Sequence, residues 1–140
     1  MKILPITLDN SCSSIDFWDQ WIGEDEIDYR YLSKHINNKH KSLILLDNKN
    51  TIEGVLIYDQ VWCSNIYRIY LIAKRNNSTL KGVGKEFMQY FSDHFHGRII
   101  LSDDSEIPNY YEKLGLTEDK SYYYKYLLND WTFPIYTKII

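Results

Sequence analysis

Cysteine is scarce in this 140-residue chain: Cys12 and Cys63 are the only two, and neither has a CxxC partner or a close His/Cys cluster. No disulfide framework and no metal site is therefore expected, and a reducing, cytoplasmic setting is the natural compartment. Long apolar runs are missing too. No stretch approaches the roughly 18 apolar residues that span a bilayer, and no basic region with an apolar run opens the chain, so neither a membrane nor a secretory role is expected. Basic blocks are also absent, and the net charge is −3, which leaves nucleic acid without the electrostatic footprint it needs. Repeats, low-complexity tracts and linkers are lacking. The length suffices for one compact core and is short for two, so one domain over residues 1–140 is expected.

Aromatic residues are plentiful. Thirteen are tyrosines, and they fall mostly in alternating contexts where a half-buried pleated surface favours them. Lys2 to Leu8 alternates around Pro5 and predicts an edge strand. Ser13 or Ser14 caps an expected helix with Ile15, Trp18, Trp21 and Ile22 at helical spacing, ended by Gly23; a second helix is expected from Glu24 to about Asn37. Ser42–Leu46 and Glu53–Tyr58, joined by the polar segment Asp47–Asn50, predict a hairpin. Asn65–Ala73 predicts a third strand. Val83, Phe87, Phe91 and Phe95, with Met88 beside them, predict an amphipathic helix whose stripe is core. Arg98–Leu101 predicts a strand. A helix capped by Asp104 or Ser105 follows, with Pro108 in its first turn, and then strands over Ser121–Leu128 and Trp131–Ile140. The order predicts an α/β (α+β) domain with a mixed, mostly antiparallel sheet flanked by helices.

Between the third strand and the amphipathic helix lies Thr79-Leu80-Lys81-Gly82-Val83-Gly84-Lys85. Two glycines let a ligand approach the backbone, and a helix start offers unpaired N–H groups to an anion. A Walker-type loop needs glycine where Thr79 stands and Ser or Thr where Glu86 stands; a dinucleotide fingerprint needs glycine where Phe87 stands. Both readings fail. Downstream, Pro108-Asn109-Tyr110-Tyr111-Glu112-Lys113-Leu114-Gly115-Leu116 ends a short helix at a glycine and leads into a strand.

Together the two motifs resemble the GNAT N-acetyltransferases, over roughly residues 40 to 127 and in that family's order. The resemblance implies that acetyl-CoA is the cosubstrate and an amine the acceptor. It implies a pantetheine arm paired with the splayed strand edge Leu71, Ile72 and Ala73. The diphosphate would lie on the N–H groups of Lys81, Gly82, Val83, Gly84 and Lys85, with Tyr111 as the acid for the departing thiolate and Tyr110 as its alternative. Thr79 replaces the usual Gln or Arg, and Asp104 replaces an asparagine that often holds the cofactor arm; Lys74 and Arg75 are candidate substitutes. The strand that often supplies a basic glutamate offers Tyr67, Arg68 and Tyr70, which leaves Glu53 and Asp59 as candidate bases acting through water. The acidic group Glu24, Asp25, Glu26 and Asp28 would suit a cationic acceptor. Competing readings are a non-catalytic CoA-binding or protein-interaction domain, with a homodimer through the apolar C-terminal strand, and a binder of small phosphate metabolites.

Overall fold

A computed structural model describes residues 1–6, 40–75, 78–105 and 107–140. The two expected N-terminal helices, Cys12 and the acidic group at 24–28 lie outside the described residues. Among those described, the order is β1 (Lys2–Ile6), β2 (Lys41–Leu46), β3 (Ile52–Gln60), β4 (Ile66–Lys74), α1 (Val83–His94), β5 (Arg98–Ser102), α2 (Tyr110–Lys113), β6 (Thr117–Glu118), α3 (Tyr122–Leu128) and β7 (Ile135–Ile139). The seven strands form one mixed sheet in the order β1-β2-β3-β4-β5-β7-β6. β1 pairs antiparallel with β2, as do β2 with β3, β5 with β7 and β6 with β7, whereas β4 and β5 are parallel. The parallel pair needs a crossover, and α1 supplies it.

The chain groups into two compact units, Met1–Tyr58 with Leu71–Phe87 and Asp59–Tyr70 with Met88–Ile140. In the first, Asp47 makes the expected hairpin turn: its Oδ1 accepts the N–H groups of Lys49 and Thr51, both at 2.8 Å, and Asn50 adopts a φ of 60°. β2 and β3 bury Leu43, Leu45, Leu56 and Ile57 completely. The register slips between Leu45↔Gly54 and Leu46↔Ile52, so Glu53 sits in a β-bulge with no partner residue on β2. Gly54 next to it leaves room for α1. A Cβ there would lie 2.7 Å from Val83 Cγ1 and 3.1 Å from Phe87 Cε2, so a side chain at this position would force the start of α1 to shift on β3.

In the second unit, Ile99, Ile100 and Leu101 of β5 are buried on both faces, as befits a strand between β4 and β7. Phe91 and Phe95 meet the Tyr67 ring, with centroids 6.1 and 4.8 Å away. Of the expected stripe, Val83, Phe87, Met88 and Phe91 are buried residues of α1, whereas Phe95 is half-buried and lies just past its end.

Two expectations need correction. Tyr122–Leu128, read as a strand from its tyrosines, is helix α3: its half-buried Tyr124, Leu127 and Leu128 recur at i, i+3 and i+4, and Asn129 closes it with a φ of 51°. The strand position belongs to Ile135–Ile139, which pairs with β5 on one side and β6 on the other. Within that apolar end Ile135, Tyr136 and Thr137 are buried in the sheet, whereas Trp131, Phe133 and Ile139 are exposed. Nor does a helix start at Asp104 or Ser105. Asp103 Oδ1 accepts the Ser105 N–H at 2.9 Å and Ser105 Oγ accepts the Ile107 N–H at 3.0 Å, which commits this segment to local turns. Helix α2 begins only after Asn109, at a φ of 58°.

Candidate active site

The glycine turn belongs to the first unit. Gly82 has a φ of 79°, a left-handed conformation that favours glycine, and a Cβ built there would meet nothing within 4 Å. Its carbonyl oxygen accepts the Glu86 N–H at 3.0 Å, the bond that opens α1. The N–H groups of Val83, Gly84 and Lys85 then fall in the first turn, where a helix has no internal acceptor for them. Lys81 and Lys85 are exposed on either side, and Thr79 is exposed as well. The turn thus combines a backbone open at Gly82, helix-end donors and two exposed cations, which is the chemistry of anion binding, while Val83 and Gly84 are themselves buried.

Leu71, Ile72 and Ala73 are half-buried residues of β4. Among the described residues the parallel ladder with β5 runs from Ile66↔Arg98 to Ile69↔Leu101 and stops there. The last residues of β4, these three included, lie beyond it.

Glu53 is only 6% exposed. Its Oε1 accepts from Arg75 Nη2 at 3.0 Å, and its Oε2 accepts from the Ser78 hydroxyl. Arg75 is thereby tied to β3 through Nη2. Asp59 is likewise engaged: Arg68 donates to both of its oxygens, and the Tyr70 hydroxyl donates to Oδ2 at 3.2 Å. Both candidate bases are found in ion pairs with arginine. Burial, and after it the Asp59 charge, push the Tyr70 phenol up to about 12.

Tyr111 and Asp104 belong to the second unit. Tyr111 is 8% exposed, set on the short α2 between Tyr110, at a ring-centroid distance of 5.0 Å, and Tyr136, at 6.1 Å. Its carbonyl oxygen accepts the Leu114 and Leu116 N–H groups, which pins the turn through Gly115. Burial pushes the Tyr111 phenol well above its ordinary range, and Tyr110, Asp104 and Asp103 add to the shift. Asp104 itself is exposed. At neutral pH Tyr111 is a protonated hydrogen-bond donor.

No protein-family model and no curated protein matches this chain. Solved structures do. The crystal structure of Tetrahymena GCN5 superposes with a TM-score of 0.79 at 19% identity, over 100% of this chain and 96% of the other. The catalytic domain of the Tetrahymena GCN5 histone acetyltransferase with coenzyme A gives 0.64 at 16%, over 99% and 92%. This chain has the GNAT acetyltransferase fold. An aminoglycoside 6'-acetyltransferase of type Ii shares that GNAT fold with a TM-score of 0.63 at 18% identity, over 99% of this chain and 97% of that one. Among the described residues no helix is long and apolar enough to cross a membrane.

The glycine turn and Tyr111 stand out in the sequence, but three features of the structure around the turn do not. Gly54 carries no local signal, because its requirement comes from α1 crossing β3. Ser78 reads as an ordinary loop residue. The partnership of Glu53 with Arg75 spans 22 positions, and no periodicity reports it.

Proposed function

We propose that the protein is an acetyl-CoA-dependent N-acetyltransferase, in which a primary amine attacks the thioester directly within a ternary complex. The observation that supports this most is the left-handed Gly82 turn at the start of α1, following a strand whose end lies beyond the β5 ladder. The backbone of Lys81–Lys85 would hold the diphosphate, and the β4 edge at Leu71–Ala73 the pantetheine amides. The amine nitrogen forms a bond to the carbonyl carbon and releases one proton to solvent water, the C–S bond breaks, and the sulfur leaves with the electron pair. Tyr111 would donate to that sulfur.

The raised pKa of Tyr111 refines its role. A thiol titrates near about 8.5, so full proton transfer from a phenol held far above that is uphill in water. Tyr111 serves best as a hydrogen-bond donor that stabilises the thiolate in a buried site, with the proton passing once the thiolate is itself desolvated. Glu53 and Asp59, each paired with an arginine, fit positioning roles better than that of the base.

A second reading, a non-catalytic CoA-binding or protein-interaction domain, is favoured by one observation. Tyr122, Tyr126 and Trp131 are 76%, 72% and 59% exposed on and beside α3, an unusual aromatic surface. Thiol release from acetyl-CoA across a panel of primary amines separates the two. Amine-dependent release supports the enzyme, whereas acetyl-CoA binding without release for any amine supports the second reading.

A further inference from the structure

Glu53 is a carboxylate in a strand that is otherwise buried from Ile52 to Tyr58. Removing such a group from water is costly, and it persists only when its oxygens are matched. The bulge in the β2–β3 ladder takes Glu53 out of register with β2. Its carbonyl oxygen accepts the Arg75 N–H at 2.9 Å, and its carboxylate accepts from the Arg75 guanidinium and the Ser78 hydroxyl. The Arg75 carbonyl oxygen then accepts the Ser78 N–H at 3.1 Å, and Ser78 Oγ accepts the Leu80 N–H at 3.1 Å. One continuous set of hydrogen bonds runs from the bulge to a point two residues before Gly82. A hydroxyl has one proton to give and lone pairs to receive; Ser78 gives its proton to Glu53 and receives from Leu80.

We infer that Glu53, acting through Ser78 and Arg75, is a positioning residue that fixes the approach to the glycine turn and so aims the Lys81–Lys85 amides at the diphosphate of the acyl donor. This rests on the acetyl-CoA reading above for its ligand, and on the hydrogen bonds alone for its structural content. Oriented donors bind an anion more tightly than mobile ones, because less ordering remains to be done on binding. The bulge explains why a buried carboxylate stands there: it turns one β3 side chain out of the pleat toward the loop after β4.

Amide hydrogen exchange on the full chain without ligand, followed by calorimetric titration with acetyl-CoA, tests the inference. Ser78→Ala and Glu53→Gln should speed exchange at Leu80 at least about tenfold and raise the acetyl-CoA Kd about tenfold, the equivalent of one net hydrogen bond. Exchange at Phe87–Phe91 should stay at the wild-type level, and Ser78→Thr, which keeps the hydroxyl, should restore both values. Wild-type exchange at Leu80 in Ser78→Ala overturns the inference, as does an unchanged Kd in both variants. If Glu53→Gln does not fold, the Ser78 pair decides alone. A wild-type protein that fails to bind acetyl-CoA removes the cofactor reading, while exchange at Leu80 still judges the positioning.

Discussion

Arg68 grips Asp59 at two points, with Nε donating to Oδ1 at 2.8 Å and Nη2 to Oδ2 at 2.6 Å. Its third nitrogen, Nη1, donates to the Leu127 carbonyl oxygen at 2.8 Å. That carbonyl is one of the last four of α3, which have no partner within the helix. The same guanidinium therefore neutralises a partly buried carboxylate and ties down a helix end. Arg68→Met should cost about 2 kcal/mol, because Asp59 loses a charged partner and α3 its anchor. Arg68→Lys should recover only part, since one ammonium cannot supply three directed donors in a plane. Urea unfolding midpoints at neutral pH check both.

Gly54→Ala should destabilise the chain by roughly 1–3 kcal/mol, the usual range for overpacking. The new methyl group would stand 2.7 Å from Val83 Cγ1, inside any real contact. Val83→Ala removes that atom, so the double variant should lose less than the two single losses added together. A double-mutant cycle of unfolding free energies measures the coupling.

These two residue pairs mark the limit of what the sequence discloses. Local chemistry was readable: Asp47 and Asn50 shape their turn by their own side chains and backbone, and Val83, Phe87 and Phe91 announce α1 by spacing. The glycine turn was readable because Gly82 needs its conformation wherever it folds. α3 was misread because tyrosine favours strands in general, while Tyr124, Leu127 and Leu128 follow the helical period in particular. Asp104 was misread as a cap because the neighbouring Asp103 and Ser105 had a closer turn to make. Glu53 with Ser78, Gly54 with Val83 and Arg68 with Leu127 depend on segments meeting in space, and no local pattern encodes them.

Alkaline pH should destabilise the fold through its buried phenols. Burial raises Tyr70 to about 12, and Tyr110 and Tyr111 shift in the same direction. An unfolded tyrosine loses its proton near about 10, so above that pH the unfolded state binds fewer protons than the folded one and stability falls as pH rises. Below pH 10 this contribution is fully present. Unfolding midpoints between pH 8 and 12 should be flat and then decline, and Tyr70→Phe should lessen the decline. A midpoint that stays level to pH 12 contradicts the burial of these hydroxyls.

Tyr111→Phe should leave acetyl-CoA affinity within about twofold and lower kcat about 100-fold, in the range for loss of one hydrogen-bond donor to developing negative charge. Tyr110→Phe should have little effect on kcat, since consecutive helical residues face different directions. Steady-state kinetics with the best amine found, beside direct titration of acetyl-CoA, separates the two effects.

The central claim is that the Gly82 turn and the β4 edge bind the acyl donor, and thermal unfolding under increasing acetyl-CoA, with ADP as the control, tests it most directly. A ligand that binds only the folded chain must raise the melting temperature as its concentration grows. The account predicts saturable stabilisation by acetyl-CoA that clearly exceeds that by ADP and shrinks when Gly82 is replaced by valine. No shift at millimolar acetyl-CoA, or an equal shift with ADP, would contradict it.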